Sequence, residues 1–371
     1  MIYVSLCFIL AISCLSNARV ITKVNAIIIF LFLSGAYSYG YDWIRYREYY
    51  EYVLSPYDIS TWRFEPGFSL ILSLCRSLGL DYHWVVVICS MIVCVNIYNF
   101  SVSRKFRNFS LFFIFAVFGF MEFAEQIRQG VAISFILLAT NSLLNNQARR
   151  FILFTAIASC FHISALLCFS FPFLYKLMRK NNSTMVALSL VLLGLFTVWG
   201  FKFFIDNIGA FGVSGFIADK LKGYSESEGS DAGILSSGLL LNVAVIFISA
   251  LSTQTRKPET YLAVFFSFFV IESKAVSIAY RFSYYGYAFI YEAFEWLYGL
   301  NKGKLINRTV LVFILLVFAL KPLLNPVYRD MFDDYHFYWF SLFSELPDTD
   351  YKRAERCADL IKNGIQYCGR I

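Results

Sequence analysis

Between two apolar runs, SLFFIFAVFGFM and VAISFILLAT, the chain keeps Glu122, Glu125, Gln126, Arg128 and Gln129. An ionisable side chain at mid-bilayer costs at least ~2.5–3.5 kcal/mol and rarely faces lipid, so such residues inside an apolar chain carry information. Glu125 and Arg128 are three apart and share a helix face, as do Glu122, Glu125, Gln126 and Gln129. One reading is an internal Glu–Arg pair at a helix start. The other is that Arg128 presents a fixed, permanently charged fork to an anion, aided by the helix N-terminus. A second stripe lies in ESKAVSIAYRFSYYGY, where Lys274, Ser277, Arg281 and Tyr284 or Tyr285 recur at three- and four-residue steps. Two cations on one face, with only Glu272 beside them, either bind an anion, or snorkel to the interface or pair with Glu122 and Glu125. His162, in SCFHISALL, is either a hydrogen-bonded core residue or a base matched to neutral pH. Asp42 and Glu65 bracket a Tyr- and Trp-rich segment. Glu65 precedes Pro66 and suits a helix start. The aromatics, with Arg45, Tyr46 and Tyr49 among the candidate contacts, suit sugar-ring faces or a membrane interface. No metal constellation appears: Asp333-Asp334 and Asp348–Asp350 read as solvated turns.

These residues need elements to hold them. The chain of 371 residues is 58% hydrophobic and 15% charged, with mean hydropathy +0.61; a soluble domain carries about 25% charged residues. The pattern predicts an all-α, polytopic integral membrane protein. Candidate spans are 2–16, 24–40, 65–80, 83–101, 109–123, 127–144, 151–168, 184–205, 235–253, 260–280, 283–299 and 305–321, about twelve in all. Residues 1–321 then form a membrane domain with outer loops at about 41–64 and 206–233. Residues 322–371 form a partly helical tail. No basic residue precedes the apolar centre of MIYVSLCFILAISCLS, so it reads as a first span rather than a cleaved leader. The net charge of +7 sits in short clusters between spans, which argues against nucleic-acid binding. The nine cysteines include no CxxC and mostly lie in apolar runs, as small buried hydrophobes.

Orientation follows from the basic loops. Arg104–Arg107, Gln147–Arg150, Lys176–Lys180, Arg256-Lys257 and Lys302–Lys304 read as cytoplasmic. The Glu122–Gln129 cluster, His162, the 206–233 loop and Arg281 then fall near the outer face. With 41–64 also outside, the alternation up to Arg104 is off by one crossing. Either 65–80 is re-entrant or a segment is miscounted.

The order of these features resembles the Wzy-type repeat-unit polymerases, in their EpsG-like branch. The resemblance rests on Asp42…Tyr46…Tyr49/Tyr50…Glu65-Pro66-Gly67-Phe68, then Ile127-Arg128-Gln129-Gly130-Val131-Ala132. Phe161-His162-Ile163-Ser164 and Arg281-Phe282-Ser283-Tyr284-Tyr285 follow. It spans about residues 37–290.

The resemblance implies a multi-pass protein of the cytoplasmic (cell inner) membrane that needs no cofactor and no metal. It would transfer a growing glycan from undecaprenyl pyrophosphate onto an incoming lipid-linked repeat unit at the outer face. A chain-length regulator and a flippase are the partners it implies. In that scheme Arg128 and Arg281 stabilise the pyrophosphate, and His162 is the first choice of base, with Glu65 and Asp42 behind it. Gln129, Lys274, Tyr284, Tyr285, Arg45, Tyr46 and Tyr49 contact substrate, and Glu122 and Glu125 hold Arg128. The competing readings are an O-antigen ligase, a polysaccharide flippase or exporter, and a membrane acyltransferase built round His162.

Overall fold

The computed structural model describes residues 2–180, 237–272, 277–301, 303–324 and 335–343, with isolated positions between them. Lys274, the 206–233 loop and nearly all of the tail beyond Phe343 lie outside the described residues. The helices are α1 (Ile2–Ser13), α2 (Arg19–Ser34), α3 (Gly40–Glu48), α4 (Pro66–Ser77), α5 (His83–Val102), α6 (Arg107–Phe118) and α7 (Ile127–Leu144). They continue as α8 (Ala148–Phe161), α9 (Phe171–Lys180), α10 (Ser237–Ser252), α11 (Pro258–Glu272), α12 (Ser277–Tyr298) and α13 (Lys304–Leu320). Among the described residues the all-α expectation holds with one exception. A two-residue antiparallel pair joins β1 (Ala36–Tyr37) to β2 (His336–Phe337), with Ala36 opposite Phe337 and Tyr37 opposite His336.

Among the described residues, three helices, His83–Val102, Ile127–Leu144 and Lys304–Leu324, are long and apolar enough to cross a membrane, and shorter apolar helices accompany them. The chain is a membrane protein. Helix length by itself supports three of the about twelve crossings expected. Two of the expected runs break: 65–80 folds as the 12-residue α4, and 109–123 divides into α6 and a π-helical turn, Met121–Glu125, while most of the expected span at 184–205 lies outside the described residues.

Helix α6 lies at the centre. Its Phe109, Phe112, Phe113, Phe115 and Phe118 are all buried, as befits a helix that is apolar all round. Phe113 packs edge-on against Tyr291 and Phe294 of α12, and Phe118 meets Tyr284 and Tyr287 edge-on.

The basic loops gather at one end. There the Asn17 amide donates to the Lys105 carbonyl at 2.8 Å and accepts from the Arg107 backbone at 2.7 Å. Arg104 pairs with Glu292, and Glu295 accepts from the Lys105 backbone at 3.0 Å. Arg308 sits over the rings of Phe106 and Tyr298. The strand pair, α3, the Met121–Glu125 turn and the C-terminal end of α8 meet at the opposite end.

Candidate active site

Two glycines let that opposite end close up. Gly40 starts α3 at φ +74°, and a Cβ there would lie 1.3 Å from a Glu125 carboxylate oxygen. Only glycine combines that conformation with that approach. The other Glu125 oxygen accepts the Asp42 backbone N–H at 3.1 Å. The carboxylate thus sits on the N-terminal turn of α3, where orphan donors and the helix dipole favour a negative charge. At Gly130, a Cβ would lie 2.3 Å from the Glu122 carbonyl. The first turn of α7 therefore backs directly onto the Met121–Glu125 turn.

Arg128 follows from this packing. Its Nε donates to the Tyr46 hydroxyl at 2.9 Å, and its Nη1 pairs with Glu65 Oε2. The Tyr46 hydroxyl in turn donates to Asp42 Oδ2 at 3.0 Å. Burial, with the Asp42 charge second, pushes the Tyr46 phenol well up, which keeps it protonated and able to donate. The guanidinium lies 5.2 Å from the ring centroid of Tyr46, 4.7 Å from Phe64 and 6.0 Å from Phe68. Delocalised charge makes a guanidinium well suited to such a cage. The pair stays partly open, with side chains 22% and 16% exposed.

Glu65 also reaches the next element, for its Oε1 accepts the Ile163 backbone N–H at 3.3 Å. Ile163 begins a 3-10 segment, Ile163–Ser170, just where α8 ends in the extended backbone of His162. His162 Nδ1 is 2.6 Å from Ser164 Oγ, and that oxygen is 2.8 Å from the Tyr285 hydroxyl on α12. One hydrogen-bonded chain thus links Asp42, Tyr46, Arg128 and Glu65 to the backbone beside His162, and a second links His162 through Ser164 to Tyr285.

Several expected contacts resolve differently. The carboxylate that holds Arg128 is Glu65, not Glu122 or Glu125. Glu125 supports α3 through the Asp42 backbone, and Glu122 is buried in the bundle, 2% exposed. The reason is that the Met121–Glu125 turn commits Glu125 to the start of α3, while Glu65 at the start of α4 meets the guanidinium. Tyr49, expected to contact substrate, is buried, and its hydroxyl bonds Thr61 O and the Arg63 backbone N–H, closing the 54–63 loop on itself. Gln129 is buried in the bundle, whereas Arg45 is exposed. Both oxygens of Glu65 are engaged, so it is better suited to positioning than to taking a proton. Arg281 lies on α12 one turn before Tyr285; Lys274 lies outside the described residues.

Sequence reasoning missed Phe64, Phe68 and the role of Ser164. A signal existed for the first two, since aromatics flank Glu65-Pro66-Gly67 on both sides. Ser164 stands two residues after His162, the spacing that a sharp turn closes.

A family model described as the EpsG family matches residues 20–337 of the chain. The match takes in both hydrogen-bonded chains and the β2 strand. No curated protein and no solved structure matches.

Proposed function

The chain belongs to the EpsG family, a membrane protein of polysaccharide biosynthesis, and from that premise we propose that it joins lipid-linked oligosaccharide repeat units into a surface polysaccharide. The observation that carries this reading is convergence. Asp42, Tyr46, Glu65, Arg128, His162 and Tyr285 come from five separate stretches of chain. They meet at the end of the bundle opposite the basic loops.

In the proposed reaction an acceptor sugar hydroxyl attacks the anomeric carbon of a glycan carried on undecaprenyl pyrophosphate. The new glycosidic C–O bond forms as the bond to pyrophosphate breaks, and the leaving group departs with the electron pair. Negative charge therefore grows on the pyrophosphate. A guanidinium held in advance stabilises that charge without reorganising at the moment of reaction. Arg128 spends two of its five N–H donors on Tyr46 and Glu65, and the remainder suit phosphate oxygens. Arg281, on the same helix as Tyr285, is the proposed second cation.

The hydroxyl's proton goes to His162. With Nδ1 engaged by Ser164, the proton is received at Nε2. In the tautomer this needs, Nδ1–H donates to Ser164 and Ser164 donates to Tyr285. Ser164 is then a positioning residue that sets ring and tautomer, as the outer partner of a working histidine generally does. Glu65 has a parallel role, fixing Arg128 with one oxygen and the backbone beside His162 with the other.

The test is a deletion strain complemented with variants, read as glycan ladder length per unit of membrane protein. Wild type should restore a ladder. His162→Gln should leave single repeat units while the protein still accumulates. A normal ladder from His162→Gln would remove His162 as base. Single-repeat product in the wild-type strain, or transfer only to a lipid A-core acceptor, would remove the polymerase reading.

A further inference from the structure

We propose that α4 does not cross the membrane: it lies in the outer leaflet, entering and leaving from the outer face, with Leu70, Leu74 and Leu78 as its lipid-contacting edge. The inference concerns the fold's contact with the bilayer and stands whether or not the glycan chemistry above is right.

Length is the first argument. Twelve residues rise about 18 Å at 1.5 Å each, against a hydrocarbon core of about 30 Å; α6 is as short, but its chain runs on through the Met121–Glu125 turn to the opposite end of the bundle, so for α4 the tethers decide. The tethers are the second. At its start, α4 follows Glu65, which is paired with Arg128 at the mouth of α7. At its end, Arg76 Nη2 donates to the Glu51 carbonyl at 3.1 Å, and the Tyr50 hydroxyl donates to the Leu80 carbonyl at 2.6 Å. Glu51 and Tyr50 belong to the same loop that carries Tyr46, so both ends of α4 are tied to one segment. The chain then passes Asp81, which accepts from the Tyr338 hydroxyl at 3.2 Å. It reaches His83, whose Nε2 is 2.7 Å from the Ser34 carbonyl at the end of α2. These too belong to the end of the bundle opposite the basic loops.

The third argument is the exposed face. Leu70, Leu74 and Leu78, spaced by four, are 50%, 52% and 72% exposed, while Phe68, Leu72 and Cys75 on the other side are buried. A stripe at helical spacing that none of the described residues covers fits a helix lying along an apolar boundary. α4 starts against the end of α8, where a Cβ on Gly67 would lie 2.8 Å from the Cys160 carbonyl, and Ile163, Leu166 and Leu167 just beyond it are exposed as well. Exposed Tyr52 and Tyr57 on the adjoining loop are the residue type that collects at headgroup depth. Lipid is the occupant that this apolar exposure selects.

The consequence settles the orientation. With α4 on one side, α2 and α5 are antiparallel neighbours, and Arg104 falls on the same side as every other basic loop. The crossing by which the alternation was off is α4. The helix also holds Glu65, and with it Arg128, at the depth of lipid headgroups.

Two measurements on the full chain test this. Single cysteines at Ser60, Ser77 and Arg149 are probed with a membrane-impermeant maleimide in right-side-out and inverted vesicles. Ser60→Cys and Ser77→Cys should both label in right-side-out vesicles, and Arg149→Cys only in inverted ones. Labelling of Ser77→Cys only in inverted vesicles would overturn the proposal. A nitroxide at Leu74→Cys, or at Leu70→Cys should that variant fail to accumulate, is then relaxed with oxygen and with a nickel chelate. Oxygen should dominate. Dominance of the chelate would put the face in water, and shielding from both would mean that another protein covers it; either result overturns the proposal. Neither readout uses glycan, so a failure here is distinguishable from a failure of the polymerase reading.

Discussion

Arg128 is the residue whose meaning changes most between sequence and structure. Its neighbours in the chain, Glu122 and Glu125, are not its partners in space. It is clamped by Glu65 and Tyr46 from a different segment and capped by aromatic rings. Two separate directed bonds need a planar fork, and an ammonium acts only as a point charge. Arg128→Lys should therefore cut ladder formation roughly tenfold or more, the scale of one lost charge-assisted hydrogen bond, with membrane abundance within about twofold of wild type. A near-normal ladder from Arg128→Lys would show that charge alone suffices. Ser164 gives a second prediction at this scale. Ser164→Ala should lower kcat with little change in KM for the acceptor, and Ser164→Thr should restore most of it. Equal loss in both variants, or loss carried by KM, would make Ser164 a packing residue only.

At the scale of elements, the site depends on a junction rather than on any one helix. The Met121–Glu125 turn must sit against α7 closely enough to aim Arg128 outward, and Gly130 permits that approach. Gly130→Ala would force the turn away from the helix. The expected outcome is a loss of about 1–3 kcal/mol, the usual range for overpacking, seen as a lower unfolding midpoint in detergent. An unchanged midpoint would show that the junction can yield. α3 is held in a comparable way by Glu125, so Glu125→Gln should also weaken the site without touching the proposed substrate. There the expected signature is reduced ladder length, with a partial effect because the amide oxygen still accepts the Asp42 N–H.

Across the whole molecule, the segment after α13 returns to brace the end opposite the basic loops. Tyr335 donates to the Phe32 carbonyl at 2.6 Å and stacks on the Phe32 ring, and Tyr338 stacks on His83 at 3.6 Å between centroids. The β1–β2 pair lies just before Gly40, so this strap steadies the chain that leads into Asp42. Tyr335 is half-buried against the core, so Tyr335→Ala should cost roughly 0.5–3 kcal/mol, the usual range for a single substitution, lowering the unfolding midpoint while vesicle labelling still reports the same sidedness. A changed labelling pattern would mean that the strap sets topology and does not merely brace it. Because guanidinium groups supply the positive charge in the proposed reaction, the wild-type ladder should persist in the presence of a divalent chelator; its loss would require a metal in the mechanism.

Composition and run length determined the class of this protein: so many apolar residues with so little charge can only be satisfied by helices in lipid, where every backbone group must bond internally. Residue type and spacing also picked out Asp42, Glu65, Arg128, His162 and Tyr285, because polar side chains in an apolar chain are costly enough to stand out one by one, and the family resemblance added Tyr46. Pairing was a different matter. A sequence displays neighbours at three and four residues, so Glu125 looked like the partner of Arg128, whereas the partner is 63 positions away along the chain. The strap at 335–343 and the two ends of α4 were hidden for the same reason: both depend on contacts between distant segments, and an apolar run of a dozen residues reads alike whether it crosses the bilayer or lies along it. Only the packing of α4 against the 41–64 loop and α8 distinguishes those two states, since it fixes where each end of the helix is tied.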